Sequence, residues 1–349
     1  MKNKILIYLL SFVCLSVFFL PYSTANTNET LYLNHISDCY VNVGYHINIK
    51  DDYAFVADND GITVIDISDP NDISWLTTID LPSSAFGLQI VDNTAYVAGS
   101  NEGFYIIDIS DIYNPLILGH HSHNGTAHKV FVLENLAFVA DYYSGLRIYD
   151  ITNSSNPILE CLYYETGNIW DVAVRSNIAY VANPYGLEVL NVSNPSAPVQ
   201  LSVLPFSYDS THLSIHGDKL FVGRHGQGIN VYDISTPSSP SFISSYWDDD
   251  EGEELGLRSN DTILCVADNY GIELFDISGL PTISKLAEYR DGVGAAHDLE
   301  LDGNYIYAVD GLTGIFVLEI SNELNTETSF MLLTSVVFTL PIILLKKRN

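Results

Sequence analysis

Basic residues are scarce in this sequence. The 349 residues include 14 Lys and Arg against 43 Asp and Glu, which gives a formal net charge of −29. Five of the basic residues lie in the terminal segments 1–25 and 329–349, where no acidic residue occurs, so the body of the chain contains nine. Such a body repels nucleic acid and anionic lipid and attracts cations. Nucleic acid is therefore excluded as a partner.

Cysteine is scarce as well. The chain has four cysteines, and Cys14 lies in an apolar N-terminal stretch. The other three, Cys39, Cys161 and Cys265, are separated by more than a hundred residues each and are odd in number. This pattern does not support a disulfide framework.

Catalytic signatures and helical periodicity are also missing. We find no Ser-His-Asp, Cys-His or phosphate-loop pattern, and the glycine-rich run Gly223–Gly228 lies in a predicted hairpin rather than before a helix. No segment between Asn26 and Asn322 has an apolar period of 3.6 residues. Function must therefore be inferred from shape, charge and location.

What the sequence does have is a repeat. Glycines recur every 41 to 43 residues, each after an aromatic-Val-Ala run and before an apolar run that ends in Asp-Ile-Ser or a close variant. A period of this length is typical of repeat architectures, in which each unit buries its faces against its neighbours. The seven glycines are Gly61, Gly103, Gly145, Gly186, Gly228, Gly271 and Gly314.

Each repeat contains four short apolar runs separated by turn residues. In the third repeat the runs are 128–133, 137–140, 146–151 and 158–163, and Asn, Asp, Gly and Pro lie between them. Four strands of about five residues joined by such turns form an antiparallel meander. Seven of these sheets arranged radially make a β-propeller, because that arrangement leaves only short strand edges.

The two ends of the repeat array complement each other. The seventh repeat has three strands and no fourth, whereas Thr30–His35 precedes the first repeat and has the pattern of an isolated fourth strand. We therefore predict an all-β, seven-bladed propeller over residues 26–321, closed when the strand at Leu31–Asn34 pairs with the strand at Ile315–Ile320.

The N-terminal segment 1–25 is predicted to be a signal peptide. Lys2 and Lys4 precede an apolar stretch from Ile5 to Leu20, which is followed by small residues up to Ala25. A retained N-terminal anchor is the alternative, because the apolar stretch is long for a signal peptide.

The C-terminal segment 329–349 is predicted to be a single membrane anchor with a basic cytoplasmic tail, after a polar spacer at 322–328. The apolar run from Phe330 to Leu345 is followed by two lysines and an arginine. A cleavable sorting tail has the same pattern and is the alternative. We expect the propeller to lie outside the cell, at the cell surface.

The third strands carry a resemblance to a known family. They read Ile62–Ser68, Phe104–Ser110 and Leu146–Thr152, and further copies begin at Leu187, Ile229, Ile272 and Ile315. This pattern resembles the LVIVD-repeat family of secreted or surface-anchored propellers, over roughly residues 31–321. Asn191 and Glu319 depart from it. The resemblance implies a fold and a location but no reaction.

Repeated acidic residues are interpreted as scaffold. The aspartates that end the third strands can accept hydrogen bonds from turn N–H groups. They are Asp66, Asp108, Asp150, Asp233 and Asp276. The turn Asp58-Asn59-Asp60 and the acidic run Asp248–Glu254 are interpreted as a hairpin turn and a solvated loop, with calcium binding as the alternative for each. We expect no other cofactor.

The candidate site lies at the start of the first strand of each repeat, which should line the mouth of the central channel. The aligned pairs include four histidines, two aspartates and a tryptophan, more than turn chemistry requires. Imidazole with carboxylate can bind a ligand or a metal or transfer protons, whereas a water-lined polar channel is the bland alternative. The candidate residues are His46, His128, Trp170, Asp171, His212, His297 and Asp298.

Three functions are compatible with these features. The leading hypothesis is a non-enzymatic surface binding or scaffold protein that recognises an extracellular protein, glycan or peptide with the channel-mouth face. The alternative is a metal-dependent hydrolase, similar to calcium lactonases, that uses the channel His and Asp residues. A surface-coat element without a discrete ligand is the third.

Overall fold

The computed structural model describes residues 30–164, 168–206, 209–247, 254–290 and 295–323. These residues form strands, turns and bends and no helix. The strands make seven four-stranded antiparallel sheets. The predicted all-β, seven-bladed propeller is therefore confirmed. The predicted signal peptide and membrane anchor lie outside the described residues, and within those residues no helix is long and apolar enough to cross a membrane.

The first two strands of each blade form its inner half, and the first strand lies nearest the central axis. The innermost strands contact one another around the axis. They are β2 (His46–Lys50), β6 (Gly87–Val91), β10 (Ala127–Leu133), β14 (Asp171–Arg175), β18 (Ser210–His216), β22 (Glu254–Ser259) and β26 (Ala296–Asp302). The second strands are β3 (Tyr53–Ala57), β7 (Thr94–Gly99), β11 (Leu136–Asp141), β15 (Ile178–Asn183), β19 (Lys219–Arg224), β23 (Ile263–Asp268) and β27 (Tyr305–Asp310).

The third and fourth strands complete each blade toward the outside. The third strands are β4 (Gly61–Asp66), β8 (Gly103–Asp108), β12 (Gly145–Asp150), β16 (Gly186–Asn191), β20 (Gly228–Asp233), β24 (Gly271–Asp276) and β28 (Ile315–Ser321). The outermost strands are β5 (Ser74–Asp80), β9 (Leu116–His121), β13 (Ile158–Tyr163), β17 (Val199–Pro205), β21 (Ser241–Tyr246), β25 (Ser284–Tyr289) and β1 (Tyr32–Cys39). The boundaries predicted for the third blade differ from these by at most one or two residues.

The hydrophobic core is divided among the interfaces between blades. The second and third strands are buried at nearly every position, because both of their faces meet a neighbouring sheet. The described residues form seven apolar clusters, and each joins two adjacent blades. One cluster joins the last blade to the first through Tyr307, Val317, Ile47 and Ile65. The ring is thus closed by packing as well as by pairing.

The N-terminal strand completes the seventh blade, as predicted. β1 pairs antiparallel with β28, with Leu33 opposite Ile320 and Cys39 opposite Ile315. The strand extends four residues beyond the predicted His35, past a register shift between His35 and Ser37. The leader of the chain and its last repeat therefore share one sheet.

The repeat glycines mark a close approach of the backbone. Gly145 has φ of 89°, in the region where a side chain is strained, and a Cβ there would lie 2.3 Å from the carbonyl oxygen of Tyr163 in the outermost strand. The other six repeat glycines also have positive φ. Glycine is thus required where the chain enters the third strand.

The aspartates that end the third strands cap the following turn, as predicted. Asp108 Oδ1 accepts a hydrogen bond from Ser110 N at 2.8 Å, and this bond lowers the pKa of Asp108. Equivalent bonds occur at Asp66, Asp150, Asp233 and Asp276. Asn191 makes the same bond with its amide oxygen. The departure of Asn191 from the repeat pattern therefore preserves the turn.

We predict that Leu33→Ala lowers the free energy of unfolding by about 2–4 kcal/mol, because Leu33 is 7% exposed in the cluster between the sixth and seventh blades. Leu116→Ala, on an outermost strand where the side chain is 61% exposed, is the matched control and should change it by less than about 0.5 kcal/mol. Urea denaturation measures both. Equal effects would contradict closure by β1.

Candidate functional site

The innermost strands bring two layers of side chains to the axis. Strand pairing places seven residues at one equivalent position, which we call the inner layer: His46, Gly87, Lys129, Asp171, His212, Gly256 and Asp298. The residues directly before them form the mouth layer: Tyr45, Phe86, His128, Trp170, Thr211, Leu255 and His297. We call the surface on that side the mouth face; it also carries the turns between second and third strands.

The seven predicted site residues are divided between these layers and do not form one pocket. His128, Trp170 and His297 belong to the mouth layer, whereas His46, Asp171, His212 and Asp298 belong to the inner layer. The physical reason is that successive residues of a strand point to opposite sides. In addition, His128, Thr211 and His297 are each the extra residue of a β-bulge, which re-aims the side chain.

The mouth layer is an arc of aromatic rings across five blades. His297 stacks on Tyr45 with ring centroids 5.8 Å apart, and Tyr45 packs edge-on against Phe86 at 4.8 Å. Phe86 then contacts His128 at 5.0 Å, and His128 contacts Trp170 at 5.8 Å. Each ring belongs to a different blade, so the arc packs consecutive blades together at the mouth.

Two of the arc histidines are constrained by their surroundings. Burial, and to a lesser extent the nearby Lys129, lowers the pKa of His128 to about 4. His297 Nδ1 lies 2.7 Å from the carbonyl oxygen of Gly44. Tyr142 packs against both His128 and Trp170. At neutral pH His128 is thus a neutral aromatic group within a packed cluster.

In the inner layer, Asp298 accepts bonds from three groups. Its Oδ2 lies 3.2 Å from His46 Nε2, from Arg258 Nη2 and from Ile47 N. Burial alone would raise the pKa of Asp298, but Arg258 and then His46 bring it well below its usual value. Burial lowers the pKa of His46 far enough to leave it neutral. The predicted His-Asp pairing at the axis is thus shared with an arginine.

Asp171 acts in a related way. Its Oδ2 accepts a hydrogen bond from Leu213 N of the next blade at 2.9 Å, as Asp298 does from Ile47 N. Its Oδ1 accepts one from Val172 N. Burial raises the pKa of Asp171, and the positive charge of Lys129 opposes that shift. Both carboxylates therefore cap a backbone amide at the inner edge of the following blade.

A second polar layer lies two residues further along the innermost strands. Asn48 Oδ1 accepts a hydrogen bond from Ile90 N at 2.9 Å, and Gln89 Oε1 accepts one from Val132 N. Glu300 Oε1 accepts bonds from Asn48 and from Arg258. The Ser214–Ser259 hydrogen bond and the amide bonds of Asp171 and Asp298 add to these contacts. Together, polar groups join the innermost strands of adjacent blades at six of the seven junctions. Among the described residues, no such bond joins β10 to β14, where Lys129 faces Asp171.

A cavity of about 330 Å³ lies along the axis. Its charged or titratable lining comprises His46, Lys129, Asp171, Arg175 and Arg258. Apolar groups from the innermost strands form much of the rest, including Leu88, Val130, Phe131, Val172, Leu213 and Leu257. Of the seven predicted site residues, His46 and Asp171 line this cavity.

The possible calcium sites are only partly described. Asp58 Oδ1 accepts hydrogen bonds from Asp60 N and Gly61 N. Such bonds are those of a hairpin turn, the interpretation given to this segment from the sequence. Residues 248–253 of the acidic run lie outside the described residues. In the described ranges, no group of three or more His, Cys, Asp or Glu side chains is placed to hold a metal ion.

Sequence reasoning missed four channel residues, namely Lys129, Arg258, Asn48 and Glu300. Lys129 was in the aligned pairs but was passed over in favour of its neighbour His128. The other three lie two residues after an inner-layer position, on the same side of the strand. Because side chains on one side of a strand recur every two residues, the aligned inner-layer positions could have identified these three residues.

Comparison with protein families assigns the chain. The model of the LVIVD repeat matches six segments: 45–78, 83–120, 124–165, 166–210, 207–248 and 293–332. The chain belongs to the LVIVD-repeat family. The six matches leave out the blade that begins at β22, although this LVIVD blade has the same four strands as the others. The resemblance inferred from the third strands is confirmed.

Solved structures with the same fold differ widely in sequence. The beta-propeller domain of Cps50 (Swd1) from Myceliophteria thermophila has a TM-score of 0.68 at 10% identity, covering 83% of this chain and 100% of that one. The computationally designed Ika8 protein has 0.61 at 13%, covering 82% and 100%. The WD40 beta propeller domain of Doa1 has 0.62 at 10%, covering 82% and 96%. No curated protein sequence matches. These likenesses show the fold alone.

We predict that acid weakens the fold partly through His128. Its pKa is about 4 in the folded protein and about 6.5 unfolded, so its contribution is complete above pH 6.5 and is lost as the pH falls toward 4. Between pH 7 and 5 this amounts to about 2 kcal/mol. His128→Gln should remove that part of the pH dependence in urea denaturation. His216→Gln, at a side chain that is 39% exposed, should keep the wild-type slope; equal slopes in both variants would contradict the prediction.

Proposed function

We propose that this LVIVD-repeat propeller is a non-enzymatic cell-surface binding module that recognises a protein, glycan or peptide with its mouth face. The observation that carries the proposal is the distribution of exposed aromatic side chains. Six of the nine exposed Tyr, Trp and Phe residues among the described residues lie on the mouth face: Tyr40, Tyr143, Tyr164, Tyr185, Trp247 and Tyr270. Their exposed fractions run from 46% to 71%.

Aromatic side chains at this density favour binding over simple solvation. Tyr and Trp supply a large contact area at a low cost in conformational entropy and are enriched in recognition surfaces. Their exposure here has no packing role, because the cores lie between the blades. A patch of exposed rings therefore supports recognition of a ligand.

The size of the patch favours a macromolecule. The exposed rings come from the turns of three blades and from three connections between blades, so they surround the mouth rather than line one pocket. Tyr143 packs against Tyr142, which contacts the arc at His128 and Trp170. Tyr143 thus stands on a packed aromatic base, which limits the entropy lost on binding at that position.

We predict that a triple variant, Tyr143→Ser with Tyr185→Ser and Tyr270→Ser, loses at least about tenfold in affinity for the ligand while the protein stays folded, because these side chains are exposed. The matched control removes three aromatic groups away from the mouth face: Trp75→Ser, Tyr113→Ser and Phe242→Ser. Glycan arrays and a panel of secreted proteins and peptides, probed with the full-length protein, measure binding. Equal loss in both triple variants, or no binder in either panel, would overturn the proposal.

The location of the module is part of the same proposal. We propose that the segment at 329–349 anchors the protein in the membrane with the propeller outside, supported by its apolar run and basic tail. The excess of acidic residues in the body suits a soluble surface domain.

We predict that protease added to intact cells removes epitopes placed in the propeller, because the propeller should lie outside. An epitope after Lys347 should remain protected until the membrane is permeabilised, which serves as the internal control. Protection of both epitopes would contradict the proposed orientation.

A further inference from the structure

The central cavity has a charge composition opposite to that of the molecule. Outside the terminal segments the chain has nine basic residues against 43 acidic ones. Three of those nine, Lys129, Arg175 and Arg258, line this one cavity, together with one acidic residue, Asp171. In so acidic a protein, a wall with more cations than carboxylates is a place where an anion can approach.

The carboxylates beside the cavity are already engaged. Both oxygens of Asp171 accept backbone N–H groups. Asp298 and Glu300 do not line the cavity, and both accept hydrogen bonds from Arg258.

Lys129 is the cation without a bonded partner. Arg258 pairs with Asp298 and Glu300, and Arg175 pairs with Asp218 at 2.6 Å. Among the described residues, no acidic side chain lies within ion-pair distance of Lys129, and it forms no hydrogen bond. It lies at the β10–β14 junction, the one that lacks a polar link. Lys129 is half-buried, and its ammonium group has three N–H donors available to an acceptor in the cavity.

The rest of the wall selects the kind of anion. Val130 and Phe131 follow Lys129 on the same strand, and Leu88, Val172 and Leu213 come from neighbouring blades. At about 330 Å³ the cavity lies at the small end of the range for organic ligands. Arg175, at the other end, is 41% exposed, so the cavity reaches solvent there.

We propose that the central cavity binds a small organic carboxylate, whose carboxylate group pairs with Lys129 Nζ and whose apolar part packs against Phe131, which lies on the same side of the strand as Lys129. The site lies below the aromatic arc and opens at the Arg175 end. It is therefore independent of the mouth-face ligand, and failure of either proposal would not contradict the other.

The test compares benzoate with benzyl alcohol, its neutral counterpart, by calorimetry on the full-length protein at pH 7. Benzoate should bind at least about tenfold more tightly, because a charge-assisted hydrogen bond is worth more than a neutral one. Lys129→Met should reduce benzoate affinity by a similar factor and leave benzyl alcohol binding unchanged, whereas Lys129→Arg should retain benzoate affinity within a few-fold. Lys219→Met, at a lysine paired with Asp233 on the surface, should bind as the wild type does.

Several results would overturn the proposal. They are equal affinity for the two probes, no binding of benzoate, unchanged affinity in Lys129→Met, or preference for inorganic phosphate over benzoate. If Lys129→Met does not fold, the probe comparison on the unchanged protein still decides whether a charge is recognised. The structure of a benzoate-soaked crystal then locates the bound benzoate. A benzoate carboxylate beyond ion-pair distance of Lys129 Nζ contradicts the site.

Discussion

The inner edge of each blade is the constraint on which the structure depends. An innermost strand pairs on one side only, so its other row of N–H groups faces the axis without a strand partner, and buried amides without acceptors are costly. Side chains of the preceding blade supply acceptors for these amides. Asp298 accepts a hydrogen bond from Ile47 N, and Asn48 accepts one from Ile90 N. The channel is therefore polar for a structural reason before it has any other role.

This constraint separates scaffold from candidate site. Asp171 and Asp298 would be read as catalytic from composition alone, but both oxygens of Asp171 accept backbone N–H groups, and Asp298 Oδ2 accepts hydrogen bonds from Ile47 N and Arg258. Lys129 serves no such purpose, since a cation cannot accept an N–H bond. Lys129 therefore departs from the capping scheme of the inner layer. The same reasoning makes the exposed mouth-face tyrosines informative, because no blade needs them for packing.

Much of the fold could be predicted from the sequence, because each feature has a local cause. The glycine period reflects a positive φ and a close backbone contact, and the Asp-Ile-Ser signature reflects a capped turn. Even ring closure could be predicted, from an unpaired strand at each end of the array. The exact end of β1 could not, because the pairing beyond the register shift after His35 depends on the partner strand and not on the local pattern.

The site was less predictable, because it depends on which side of the strand each residue faces. The alignment of His46 with His128 is off by one residue, and in a strand one residue reverses the direction of the side chain. His128 consequently packs among rings at the mouth, while its neighbour Lys129 reaches the cavity. Histidine drew attention because it suits chemistry at neutral pH. Burial removes that advantage from both His46 and His128 by lowering their pKa values, so the cationic side chains at the axis are those of lysine and arginine. A ligand at the axis would therefore be selected by fixed positive charge rather than by histidine titration.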